Sequence, residues 1–318
     1  MITKFGDTEL RVTRIGLGLA AIGRPAYINL GHAFDVAGET DVASLERHAH
    51  AVLDAAYAGG VRYFDAARSY GKAEKFLSSW LSDRGLGRED VTVGSKWGYT
   101  YTADWRVQAD VHEVKDLTAD TFRRQLAETR ELLGSHLRLY QIHSATLDSG
   151  VLEDLEVLEE LALLRATGVL IGLTTSGANQ RETIERALQV GGFDSVQATW
   201  NLLERSAGPA LAAAHDAGLG VIVKEALANG RLTERGDVPL LSEAAREVRA
   251  TPDAVALAAV LAQPWVDVVL SGAASAPQLQ SNLTAVEVEL EPRGLERFDG
   301  LVEDPDAYWE KRGELPWN

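Results

Sequence analysis

The chain has 318 residues, 46% of them hydrophobic, and a formal net charge of −16. That length suits either two domains or one α/β barrel with an ample core, and the charge weighs against nucleic acid or an anionic membrane face as the main partner. The absence of cysteine excludes disulfides, thiolate nucleophiles, iron–sulfur clusters and thiolate zinc sites; with no signal-like start and no apolar run near the ~20 residues that span a bilayer, the cytosol is the expected location.

Two short strands, Ile2 to Phe5 and Leu10 to Thr13, flank Gly6-Asp7 and read as a hairpin able to plug the bottom of a barrel. Strands rich in Val, Ile and Leu are then expected near 14–18, 61–65, 91–96, 138–143, 169–174, 194–199, 220–224 and 266–271. Amphipathic helices alternate with them. In 42–59 the inward face is Val42, Leu45, Ala49, Val52, Leu53 and Ala56; in 118–134, capped by Thr118, it is Phe122, Leu126, Thr129 and Leu133. In 150–167 the expected inward positions are Leu152, Leu155, Leu158 and Ala162. Regular βα alternation over the whole length points to a parallel sheet in a single domain, 1–318. Three long connections stand out, 24–41, 97–117 and the tail from about 302; the first two follow strands one and three and belong at the mouth.

Strand ends carry the chemistry. Asp65 closes the second strand, Lys96 the third and His143 the fourth, with Tyr70 five residues past Asp65. A parallel barrel gathers such ends at one mouth. There Lys96 can lower the pKa of the Tyr70 phenol, Asp65 can keep Lys96 charged, and His143 can orient an oxygen or relay a proton. The set suits protonation of an oxygen that turns negative as a carbonyl is reduced. It supplies no hydride, so a cofactor must.

These motifs, Gly16-Leu17-Gly18, Phe64-Asp65-Ala66-Ala67 with Tyr70-Gly71, Ser95-Lys96 and Tyr140-Gln141-Ile142-His143, resemble those of the aldo-keto reductases over almost the full length. The resemblance implies a (β/α)8 TIM barrel, with the hairpin closing the bottom and the long βα loops and C-terminal tail at the active mouth. It implies NAD(P)H-dependent interconversion of an aldehyde or ketone and its alcohol, with Tyr70 as acid, Lys96 and Asp65 as its tuning pair, and His143 orienting the substrate. A catalytically weak nicotinamide-binding regulatory subunit, like the potassium-channel β subunits, is the alternative. A barrel hydrolase using Asp65 has only Glu225 as a nearby second carboxylate.

No Rossmann glycine fingerprint precedes a helix. By resemblance, Thr174, Thr175 and Gln197 hold the nicotinamide carboxamide, Lys224 and Leu227 border the cofactor, and Ser271, Gly272, Ala274, Gln278 and Asn282 form the adenosine segment at a helix N-terminus. Thr175 stands where relatives usually have Asn. Ala274 and Gln278 stand where NADP-selective relatives often have Arg or Lys, so NADP is the family default but NAD is open. Lys224 replaces the aromatic ring that stacks on nicotinamide in many relatives, leaving phosphate, substrate or Glu225 as its partner. The aromatics Trp97, Tyr99 and Trp105 are expected to wall a small carbonyl substrate. Trp317 is expected to anchor the tail. No metal-ligand pattern is present.

Overall fold

The computed structural model describes residues 2–36, 38, 40–290 and 295–318. In chain order its strands are β1 (Ile2–Lys4), β2 (Arg11–Thr13), β3 (Ile15–Gly18), β4 (Tyr63–Asp65), β5 (Thr92–Trp97), β6 (Tyr99–Tyr101), β7 (Glu113–Lys115), β8 (Leu137–Ala145), β9 (Leu170–Thr175), β10 (Ser195–Thr199), β11 (Gly220–Lys224) and β12 (Val268–Ser271). Eight of them, β3, β4, β5, β8, β9, β10, β11 and β12, close into a barrel of parallel neighbours, with β12 returning to β3. Helices such as Val42–Ala58, Ala73–Asp83, Ala119–Leu133 and Gln180–Val190 lie between successive strands. This is the (β/α)8 TIM barrel, and all eight barrel strands overlap the segments expected from the sequence.

The hairpin β1–β2 is antiparallel and packs Phe5, Leu10 and Val12 against the barrel residues Tyr63, Leu139, Ile222 and Val268. Phe5 stacks on Tyr63 with ring centroids 6.5 Å apart, and Asp7 N–H donates to the Gly218 carbonyl at 2.8 Å. Gly6 turns this corner at φ +52°, and a Cβ there would sit 2.5 Å from Gly220 N and 2.6 Å from Gly218 O. Backbone cannot step aside as a flexible side chain can. Gly6→Ala should therefore lower the unfolding free energy by about 1–3 kcal/mol, read from urea denaturation; an unchanged midpoint would contradict this seal.

The helix expected over 150–167 starts later, at Leu155–Ala166. A 3₁₀ turn, Leu147–Ser149, ends on left-handed Gly150 (φ 65°). Asp154 then caps the helix by accepting from Glu156 N and Val157 N at 3.0 and 3.2 Å. The inward stripe is Val157, Leu161 and Leu164, while Leu155 is 79% exposed. Leucines recur at so many spacings here that the sequence offered two stripes, and the cap chose between them. The helices Val42–Ala58 and Ala119–Leu133 bury the stripes expected of them, except that Val42 is only partly buried.

The 97–117 connection, expected as a long loop, folds in part as a second hairpin, β6–β7. The 24–41 connection carries the short helix His32–Asp35, and the tail carries the helix Pro305–Gly313. Backbone pairing at 3.1 and 3.2 Å ties Tyr27 to Asn318, and Leu30 N–H donates to Asn229 O at 3.0 Å. The first loop, the tail and the loop after β11 thus join over one mouth. Among the described residues no helix is long and apolar enough to cross a membrane.

Candidate active site

Asp65 ends β4, in register between Gly18 of β3 and Gly94 of β5. A Cβ at Gly94 would stand 2.6 Å from Tyr63 Oη, so glycine there leaves room for the phenol that braces the carboxylate. Tyr63 Oη donates to Asp65 Oδ1 at 3.2 Å, and the amides of Gln141 and Gln197 donate to the same oxygen at 3.3 Å each. Lys96, from β5, pairs with Oδ2. Both partners are buried, at 1% exposure each. Their charges meet with donors filling the remaining lone pairs, the arrangement a buried ion pair needs. Lys96 Nζ also donates to Ala66 O at 3.1 Å and reaches Tyr70 Oη at 3.5 Å.

His143 stands edge-on to Tyr70, ring centroids 5.5 Å apart and planes at 84°. A register shift in the β8–β9 ladder between Ile142 and Ala145, with Ser144 left-handed at φ 54°, turns the imidazole out of the strand's regular alternation. Ser144 N–H donates to Thr174 Oγ1 at 2.7 Å, holding that bulge. The Ser69 hydroxyl lies 3.4 Å from His143 Nδ1, which leaves Nε2 for a substrate oxygen. Burial first, then the positive charges of Lys96, Lys224, Arg24 and Lys115, hold the His143 pKa well below its ordinary value. The ring is neutral at physiological pH, a hydrogen-bond partner rather than a cation.

The Tyr70 phenol departs from the expectation. Burial, and next the Asp65 carboxylate, push its pKa well above the ordinary tyrosine value. The lowering expected from Lys96, which is paired with Asp65, does not prevail. The result is a phenol that stays protonated at neutral pH beside an ammonium poised to receive developing negative charge. That is the state an acid requires before it gives a proton.

Tyr70, Asp65 and His143 face a cavity of about 1020 Å³, at the upper end of the roughly 300–1,000 Å³ usual for ligand sites. Its far wall holds Ser271, Gly272, Gln278, Ser281 and Asn282, and Leu227, Gln197 and Lys224 also border it. Asn282 is satisfied with its amide nitrogen toward Asp253 Oδ2 (2.8 Å) and its oxygen toward Ser271 Oγ (2.8 Å). Gln278 Oε1 accepts from Ala274 N–H at 2.9 Å, so that amide is already engaged. The expected contacts from Thr174, Thr175 and Ala274 are not supported. All three are buried behind the wall; the Thr174 hydroxyl serves Ser144, and Ser176 and Gly177 line the cavity instead.

Two of the residues expected at the substrate lie off the cavity lining. Trp97 is fully buried and packs on Phe122 at 5.0 Å, because it still belongs to β5 and its ring falls outside the barrel under a helix. Trp105 donates from Nε1 to Thr40 O at 2.6 Å and leans on Phe76 at 6.2 Å, away from the cavity lining. Tyr99 is where expected, 4.9 Å from the His143 ring on the cavity wall. Trp317 anchors the tail, stacked on His112 at 4.0 Å, and also lines the cavity with Trp309.

The sequence reading missed the charges that frame this mouth. Arg24, only 3% exposed, pairs with Glu113 and lies over the Tyr70 ring at 5.4 Å. Arg312, from the helix Pro305–Gly313, clasps Glu225 with Nη2 to Oε1 at 2.6 Å and Nε to Oε1 at 3.2 Å. Lys224 donates to Thr199 Oγ1 at 3.1 Å. Glu225 is bound to a cation and Asp65 to another, so neither carboxylate of that candidate hydrolytic pair is free. Among the described residues no cluster of three or more His, Asp or Glu side chains is placed to hold a metal ion.

Comparison with known proteins places this barrel and its hairpin plug in a family of oxidoreductases. The chain belongs to the aldo/keto reductase family, which it matches over residues 14–303. It is 26% identical over 344 residues to the uncharacterized oxidoreductase YrpG of Bacillus subtilis, covering 96% of this chain and 98% of that one. It is 24% identical to the NADH-specific methylglyoxal reductase of Escherichia coli, covering 90% and 93%. Its fold matches the holo form of aldo-keto reductase AKR11C1 from Bacillus halodurans at a TM-score of 0.73 and 22% identity, covering 95% and 96%.

Proposed function

We propose that the protein reduces an aldehyde or ketone to its alcohol, and runs the reverse reaction, with a nicotinamide dinucleotide held along the cavity. One observation carries the reading: the Tyr70 hydroxyl lies 3.5 Å from an ammonium that is itself anchored by a buried carboxylate. A bound nicotinamide would supply hydride to the carbonyl carbon. The chain's own part is proton and charge. His143 takes the carbonyl oxygen in a hydrogen bond and sets it before Tyr70. The phenol gives its proton to that oxygen, and Lys96 steadies the negative charge left on the ring. Asp65 holds Lys96 in place beside the phenol.

The adenosine end fits NADH better than NADPH. Its wall offers Gln278, Ser281 and Asn282, with the Asp253 carboxylate beside them and neither Lys nor Arg at 274 or 278. A 2′-phosphate would meet no cation at 274 or 278 and would have the Asp253 carboxylate nearby. The relative named for NADH specificity is consistent with this. Fluorescence titration with NADH and NADPH side by side is expected to show NADH binding at least as tightly, and NADH absorbance should fall when methylglyoxal is added. Binding of neither dinucleotide would defeat the proposal. Binding without turnover on any carbonyl would favour a regulatory subunit.

A further inference from the structure

We propose that the carbonyl substrate carries an anionic substituent, a carboxylate or a phosphate, and that Lys224 and Lys115 receive it. The inference rests on the carbonyl-reducing reading above and names the substrate class of that site.

The chain as a whole is strongly acidic, at −16, yet the wall around Tyr70 and His143 has the opposite sign. Its carboxylates are spoken for: Asp65 by Lys96, Glu113 by Arg24 and Glu225 by Arg312. Two ammonium groups remain. Lys224 and Lys115 both line the cavity, and neither has a carboxylate within ion-pair distance among the described residues. Lys224 Nζ has only the Thr199 hydroxyl at 3.1 Å, under the Trp309 ring at 5.6 Å. Lys115 Nζ has only the Ser144 carbonyl at 2.7 Å, beside the Tyr99 ring at 5.8 Å.

Lys224 is partly buried, and the neighbouring Glu225 is already matched by Arg312, so a bound anion would offset the cost of holding that ammonium partly out of water. Burial, more than any neighbour, draws the Lys224 pKa down to about 8, with Glu225 opposing it, while Lys115 is an exposed residue of the cavity lining. Both charges act on the His143 imidazole, so they flank the group that takes the carbonyl oxygen. Lys115, with Tyr99 and Ser144, stands on the β6–β7 side. The adenosine wall of Ser271, Gln278 and Asn282 is built from other elements. The pair therefore suits the substrate rather than the dinucleotide.

The test compares succinic semialdehyde with butanal, and D-glyceraldehyde 3-phosphate with D-glyceraldehyde, at saturating dinucleotide. Wild type, Lys115→Gln and Lys224→Met are each assayed, with and without added salt of about 0.5 M. At least one anionic aldehyde should exceed its neutral counterpart in kcat/KM by roughly tenfold or more, mainly through KM. That ratio should fall toward unity in each variant and shrink with salt. Which anionic aldehyde is preferred tells carboxylate from phosphate. Equal or better use of the neutral aldehydes by wild type overturns the inference while leaving carbonyl reduction standing. So does a preference that survives in both variants, or a Lys224→Met change that weakens dinucleotide binding and leaves the preference intact. No turnover on any carbonyl would bring down the underlying reading, and this one with it.

Discussion

Tyr70→Phe should cut kcat by about 10³-fold, within the 10²–10⁴ range that a positioned proton donor contributes, while dinucleotide affinity holds within about twofold. The geometry makes this variant a clean one. Phenylalanine keeps the ring that packs edge-on to His143 at 5.5 Å and lies beneath Arg24 at 5.4 Å and Lys96 at 4.9 Å. Only the hydroxyl is lost, and its one polar neighbour, Lys96, keeps Asp65 and Ala66 O. No buried charge is stranded, so stability should change little. Stopped-flow measurement of NADH oxidation alongside fluorescence titration separates the two effects. Turnover within tenfold of wild type would remove Tyr70 as the acid.

Arg312→Met should show the second large effect, this time on stability. In the folded protein burial favours the neutral Glu225 carboxyl, but Arg312 and Lys224 outweigh it and draw the pKa from 4.5 to about 2. A carboxyl depressed by folding stabilises fully above its unfolded pKa and loses that contribution as pH falls toward the folded value. The shift corresponds to about 3 kcal/mol at neutral pH, most of it owed to the guanidinium. The variant should thus be about 2–3 kcal/mol less stable than wild type at pH 7. The gap should narrow as pH drops through about 4.5 toward 2. Urea denaturation of both proteins across that window provides the measurement. A gap independent of pH would mean that Arg312 acts through packing alone.

The barrel was legible because parallel strands buried on both faces read as apolar runs and their connecting helices repeat with a helical period. β11 lies where the sequence places it, at Gly220–Lys224. Three of the four proposed catalytic residues, Asp65, Lys96 and His143, were legible for a related reason: each lies at or near a strand end where the apolar run gives way to polar residues, and Tyr70 follows Asp65 at a short fixed spacing. Other features were hidden by distance along the chain. Arg312 and Glu225 are 87 residues apart, and Arg24 and Glu113 are 89 apart; nothing local marks either pair. Trp97 was misjudged because one residue decides whether a side chain at a strand end faces the lumen or the helices. The helix Leu155–Ala166 was mis-phased because its leucines satisfy more than one period.

The Phe5–Tyr63 stack separates the two ends of the molecule. The proposed site lies at one rim, and at the other the lumen is filled with hydrophobic side chains. A fluorophore or surface tether grafted onto the β1–β2 turn would then sit a full strand length from the reacting atoms. Immobilised enzyme prepared that way should keep its catalytic constants, whereas attachment through the rim loops would obstruct the path by which ligands come and go.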